Sequence, residues 1–281
     1  MPPLTRKNVT DYVEAHIGEF HDRRIQSIET IKLNKVLSRK NPYLFKAKNL
    51  VTAAEIVRTF VDAHLSSQEE TIFGNWLEGL AIHISGIVYG GTKSGIEGID
   101  LEFNHAGVRH LVVIKSGPAW GNSSQIKHMV SSFNTARKTL RTSGAQINVR
   151  MINGCCYGKD NSDKGTYEKV CGQKFWEMIG GDANLYIDII EPLGHKAREK
   201  NEEFATKYGA ALNRLTKEFT DKYCNADFTI NWEAITKLCS QIKPVTPPKV
   251  LRAVIPELPR RVKAAPVAMP AKRTKSKRTK K

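Results

Sequence analysis

The chain has 281 residues, 44 Lys+Arg against 28 Asp+Glu, a net charge of +16 and 40% hydrophobic residues. That length and apolar content suffice for a sizeable core and exclude a wholly disordered chain. No apolar run reaches the ~18 residues of a membrane span, the opening MPPLTRKNVTDYV lacks the apolar stretch of a secretory signal, and five scattered cysteines argue against a disulfide scaffold, so a cytoplasmic protein without a membrane partner is expected.

The charge is uneven. Residues 243–281 hold 13 Lys/Arg and a single acid, Glu257, a net +12, while the preceding 242 residues carry only +4. Seven of the 12 prolines also fall in that last segment, which has no hydrophobic period. It reads as a disordered basic tail behind a folded region spanning 1–242. Lysines of such a tail release counterions from DNA and give salt-sensitive tethering.

The first 85 to 90 residues read as helical. Val9, Tyr12, Val13, Ile17 and Phe20 recur at helical spacing. Thr52 with Glu55 forms a capping box ahead of AAEIVRTFVDAHL, and Ser66 or Ser67 with Glu69 or Glu70 repeats that signal ahead of TIFGNWLEGLAIHIS. The second segment is apolar around much of its girth, so it is expected to pack against a sheet. GIDLEF (98–103) alternates as a strand, Asn104 to Gly107 is a hairpin turn, and VRHLVVIK (108–115) is the returning, buried strand. GPAWGNSS is a loop, and a helix runs from about Ser124 to Thr142, with Ser123 or Ser124 as its cap. INVRMING (147–154) is a third central strand, LYIDII (185–190) a further one, and residues 196–223 a long helix. The fold class is α/β (α+β): a central mixed sheet flanked by helices, with a helical N-terminal part.

Asp100 lies in the first hairpin strand and Lys115 ends the second. A hairpin brings such residues side by side. A carboxylate there can hold a hard cation such as Mg²⁺, and a lysine can serve the attacking water or steady the phosphate. The plainer reading of the same pair is a salt bridge across a hairpin. The order helix, hairpin, helix, strand around the pair is that of the PD-(D/E)xK nucleases. GIDLEF, LVVIKSGPAWGNSSQ, INGCCYGK, CGQKFWEMIGGD and LYIDIIEPLG resemble type II restriction endonucleases of the PmeII-like group, and the resemblance covers roughly residues 5–240. That resemblance implies a restriction-endonuclease-like core and a homodimeric, Mg²⁺-dependent enzyme. Such an enzyme cuts double-stranded DNA at a short sequence and is paired with a protective DNA methyltransferase. In that pattern Asp100 is the metal carboxylate and Lys115 the motif lysine.

One position departs from the motif. An acid is expected two residues before the lysine, where Val113 stands. A second carboxylate is then supplied by Glu78 on the preceding helix, by Glu102 or by Glu97, or else Asp100 acts with a backbone carbonyl and waters. Glu78, an acid inside an apolar stretch, is the preferred candidate, and Glu102 shares strand parity with Asp100. Ser116, Trp120, Asn122, Ser123 and Gln125 after the lysine, Lys127 on the next helix, and Lys159 and Lys164 about the GCCYGKDNSDKG loop are the candidate DNA contacts. Trp120 has two readings, stacking on DNA or anchoring its loop to the core. Cys155, Cys156 and Cys171 lack the paired spacing of structural zinc and read as core residues. The alternatives are a non-specific or repair nuclease of this fold and an inactive DNA-binding module.

Overall fold

Thr5 accepts the N–H of Asn8, and the Asn8 side chain accepts the N–H of Thr5 in return, so α1 (Arg6–Glu29) begins in a closed capping box. It buries Val9, Val13, Ile17, His21, Ile25 and Ile28, one residue per turn. Two short helices follow, α2 (Leu33–Leu37) and α3 (Pro42–Ala47). Thr52 and Glu55 then close the predicted capping box of α4 (Ala53–Tyr89), which ends at Gly90 in the left-handed region. The structure, a computed structural model, describes residues 3–142 and 148–242. The tail predicted over 243–281 lies outside the described residues.

The second helix start expected at Ser66 or Ser67 does not occur. α4 runs unbroken for 37 residues, about 55 Å at 1.5 Å per residue. Its apolar spacing continues through the serines, so backbone bonds of the helix prevail over a cap that needs an extended residue. Ser66 and Ser67 are exposed, and Glu69 pairs with Arg24 of α1.

The sheet follows. β1 (Thr92–Lys93) pairs antiparallel with β2 (Leu101–His105), and β2 with β3 (Val108–Lys115). The hairpin between β2 and β3 turns on Ala106 and Gly107, with φ of 50° and 74°. Two positive φ values suit a tight hairpin whose twist matches its strands. α5 (Ser123–Thr142) carries the chain across to β4 (Asn148–Cys155), which lies parallel to β3. β5 (Ser162–Asp163) and β6 (Glu168–Cys171) add a small hairpin, with β6 parallel to β4. The order is β1-β2-β3-β4-β6-β5, a mixed six-stranded sheet.

Next come α6 (Gln173–Gly180), α7 (Leu185–Asp188), α8 (Ile190–Leu193), α9 (Ala197–Tyr223) and α10 (Trp232–Ser240). The strand predicted over LYIDII is therefore helical. The Asp182 carboxylate accepts the N–H of Asn184 and its carbonyl that of Leu185, which starts a helical turn. Leu185 and Ile189, four residues apart, are buried while Tyr186, Ile187 and Ile190 are exposed, a helical spacing.

Helices cover both faces of the sheet. Leu101, Phe103, Val112, Ile114 and Ile152 meet Leu77, Leu80 and Ile84 of α4 and Phe175 and Ile179 of α6. On the other face Leu111, Val113 and Met151 meet Met129, Phe133 and Ala136 of α5. Ile126, in the first turn of α5, is exposed. A third core lies among the helices, with Ile28, Leu37, Phe60, Val61, Leu215 and Phe219 among its members. No helix among the described residues is long and apolar enough to cross a membrane.

Candidate active site

Asp100 stands one residue ahead of β2 rather than inside it. Its N–H still donates to Val112 O (3.0 Å), but its carbonyl accepts from Ser94 at the edge of the sheet (3.3 Å). The N–H of Ile114, which a continued β2 would have taken, donates instead to Asp100 Oδ2 (2.7 Å). The carboxylate thus ends the β2–β3 ladder, and Oδ1 bonds to nothing among the described residues. In a strand the carbonyl of a residue points to the same side as its N–H. The Ile114 carbonyl therefore lies on the Asp100 side of β3, in the opening that β2 has left.

Lys115 ends β3 next to this opening. Its parity is that of Val113, so it stands on the α5 face. Its ammonium lies over the Trp120 ring, 5.1 Å from the centroid. Trp120 in turn packs on the core beneath α5. Of its two readings the structure supports the anchor. Val113, where the motif has an acid, is buried in that same core, and its side chain fills space between sheet and helix.

The other acids are held apart. Glu78 is half-buried on α4 and pairs with Lys93 Nζ (3.4 Å). Lys93 faces Leu101, the residue after Asp100, in the β1–β2 register, so Glu78 meets the edge strand of the sheet. Glu102 has the predicted parity but accepts from Arg109 (2.9 Å) and from Ser94 (3.3 Å). Glu97 is exposed in the approach turn. Asp100, Glu78 and Glu102 are not gathered into one centre: among the described residues no three His, Cys, Asp or Glu side chains form a metal-binding group. A single carboxylate with a strand carbonyl does fit Mg²⁺, which keeps several waters and needs only one or two protein carboxylates besides substrate phosphate.

The loop after Lys115 is built tightly. Gly117 is pressed by the Tyr157 ring, leaving no room for a Cβ, and Gly158, at φ 110°, is pressed by Pro118. Lys169 Nζ donates to the Pro118 carbonyl (2.9 Å) and to Asp160 (2.7 Å), tying the two loops together. Asn122, not Ser123 or Ser124, caps α5. Its side chain accepts the N–H groups of Ser124 and Gln125 (3.0 and 3.1 Å), while Gln125 Oε1 accepts the N–H of Asn122 (2.9 Å). The amide oxygens of Asn122 and Gln125 are therefore engaged in the capping box, while both side chains remain exposed. Ser123, Lys127, Lys159 and Lys164 are exposed, and Ser116 is half-buried with its Cβ facing Gly74 of α4.

The family model of the type II restriction endonuclease EcoO109I matches residues 7–201, more than half of the chain. The chain belongs to this family. Comparison with curated proteins gave no significant match. In this restriction endonuclease the matched span covers α1 to the start of α9 and so includes the hairpin, Lys115 and the capped loop. Lys169 and Tyr157, which shape that loop, escaped sequence reasoning because their partners lie about 40 to 50 positions away with no periodic signal. The cysteines are core residues. Burial first, then the neighbouring Cys171, pushes the Cys155 thiol up to about 12, and burial also raises Cys156.

Proposed function

We propose that the protein is a Mg²⁺-dependent, site-specific deoxyribonuclease that cuts both strands of duplex DNA as a homodimer and works beside a protective DNA methyltransferase. The observation that carries this reading is the Asp100 carboxylate. It ends the β2–β3 ladder with one oxygen free, one strand position from Ile114 and two from Lys115, in a chain of this family. Bound there, Mg²⁺ would supply charge neutralisation at the phosphate and a lowered pKa for water.

The chain's own groups divide the remaining work. Asp100 and the Ile114 carbonyl offer hard oxygens. Glu78, brought to the sheet edge by Lys93, is the second acid. Glu102, engaged by Arg109, is the lesser candidate. Lys115 orients the attacking water or steadies charge on the phosphate, and Trp120 holds its ammonium in place. Ser116, Ser123, Lys127, Lys159 and Lys164 line the approach to duplex DNA, while Asn122 and Gln125 fix the start of α5. Kinship to the PmeII-like group rests on the IKSGPAWGNSSQ and GCCYGK segments. Twofold symmetry of a dimer would match a palindromic target.

The test is a digest of unmethylated plasmid and phage DNA with Mg²⁺, resolved on a gel. Reproducible discrete fragments are expected, and Glu78→Gln should slow their appearance more than Glu102→Gln. A smear would favour a non-specific nuclease of this fold. DNA that is shifted but uncut at high protein concentration would favour the binding module.

A further inference from the structure

The helical part holds a polar cleft of about 460 Å³ between α1, α2 and α4. Arg23 of α1, Lys32, Lys35 of α2, Arg39 and Lys40 line it, with His64 of α4 on its wall. Among the described residues no carboxylate lines it. Acids on the neighbouring helix faces are directed elsewhere: on α1 Asp22 pairs with Lys200 and Glu29 with Lys207, and on α4 Glu69 pairs with Arg24. Among the described residues the five cations have no ion-pair partner. Charges of one sign around a concave wall repel one another and focus their field, an arrangement that suits an anion brought from outside. The field is felt within the molecule: burial first, then Lys40, Lys35 and Arg39, hold His64 below its ordinary value.

We infer that this cleft binds the phosphodiester backbone of duplex DNA, outside the short target sequence, as a sequence-independent clamp. The inference rests on the nuclease reading for its choice of polyanion. Five cations are more than one phosphate needs, and they come from three successive segments. No Phe, Tyr or Trp lines the cleft to stack a base, which disfavours a free nucleotide or a splayed single strand. Its place also fits. His64 lies 14 residues before Glu78 on the same helix, roughly 21 Å at 1.5 Å per residue. At 3.4 Å per base pair that is about six base pairs along a duplex.

The full-length triple variant Lys35→Gln, Arg39→Gln, Lys40→Gln tests it, with fluorescent duplexes of about 12 and about 30 base pairs titrated at several salt concentrations without Mg²⁺. The slope of log affinity against log salt on the longer duplex should fall by about 2 to 3, with affinity down roughly 10- to 100-fold, and the shorter duplex should change less. A matched triple at the ion-paired positions Lys217, Lys222 and Lys237 should leave the slope unchanged. An unaltered slope in the cleft variant overturns the proposal. So does thermal stabilisation of the wild type by about 1 mM inorganic phosphate, beyond that of a matched chloride and lost in the cleft variant, because it marks a small-anion site. Should the triple fail to fold by circular dichroism, Lys35→Gln and Arg39→Gln singly should each lower the slope by about one. The Mg²⁺ digest by wild type separates the two readings. Cutting with unaltered cleft-variant binding removes only the clamp, and no cutting with weakened cleft-variant binding removes only the nuclease.

Discussion

The two halves of α4 bury the same kind of residue against different neighbours. From Ile56 to Leu65 the helix packs among α1, α2 and α9, and from Trp76 to Ile84 it packs on the sheet. The helical half meets surfaces with side chains directed all round, so cations can gather on its outer side about Arg23, Lys35 and Arg39. The sheet half meets strands whose ends open, and there a carboxylate and an ammonium stand beside unpaired backbone. On the proposed reading the chemistry sits at the sheet's end and the long-range attraction on the bundle, with one helix joining them.

The largest effect should come from the sheet's end. Asp100→Asn keeps an oxygen for the Ile114 N–H but removes the charge, so cleavage should fall roughly 10³-fold or more with the melting temperature nearly unchanged. Asp100→Ala should match that loss and also cost about 1–3 kcal/mol, because a buried N–H loses its acceptor. Cleavage assays and thermal melts on both variants separate chemistry from structure. Full activity in Asp100→Asn would remove Asp100 from the site.

Core truncation tests whether α4 joins the halves into one cooperative unit. Phe60 and Leu80 are both fully buried, one in each half. Phe60→Ala should cost about 3–5 kcal/mol and Leu80→Ala about 2–5 kcal/mol. Calorimetry should show each lowering a single transition. A second transition, moved by one variant and not the other, would show that the halves melt separately.

Smaller changes probe the Lys115–Trp120 contact. Lys115→Gln should lower the cleavage rate about 10²-fold while duplex binding in the absence of Mg²⁺ stays near wild type. Trp120→Leu keeps apolar packing but removes the ring under the ammonium, an interaction worth about 0.5–1 kcal/mol where partly exposed. Its rate should fall only a few-fold. An equal loss in both variants would mean that Trp120 itself touches DNA.

The hairpin was legible because its signals are local. Alternation and a turn ending at Gly107 set β3 to the residue and β2 to within two or three, and the Thr52–Glu55 box set the start of α4. The candidate pair Asp100 and Lys115 followed from that hairpin. What was illegible depended on distant partners. The Ser66–Glu69 pattern imitates a helix start, and only the pairing of Glu69 with Arg24 and the unbroken run of α4 from Ala53 to Tyr89 show that the helix passes through it. LYIDII looks like a strand until Asp182 starts a turn before it. Ser123 and Ser124 have the chemistry of caps, but Asn122 already holds the reciprocal bond to Gln125. Strand parity offered Glu102 as a companion to Asp100, but it carried no sign that Arg109 and Ser94 engage Glu102.

The smallest expected effect is the pH dependence of stability, which places one buried histidine in the sheet against one at the junction of the halves. His110 is buried between strands, stacked on Phe103 with centroids 4.5 Å apart. Burial is the largest cause that lowers its pKa, opposed by its bond to the Val108 carbonyl and reinforced by Arg150. His21 is lowered first by burial and then by Arg24 and Lys200, with Asp22 opposing. A histidine whose folded pKa is below its unfolded value of about 6.5 contributes full stability above that value. The contribution is lost as pH falls through about 6.5 toward the folded value, because the unfolded chain takes up the proton first. Melting temperatures should therefore drop between about pH 7.5 and about pH 5.5. His110→Gln retains a donor for Val108 and should flatten the drop, and His21→Gln should flatten it by a similar amount. If His21→Gln alone flattens the profile, the acid-sensitive proton belongs to the junction of the two halves, and the sheet's own histidine takes up its proton at the same pH folded and unfolded.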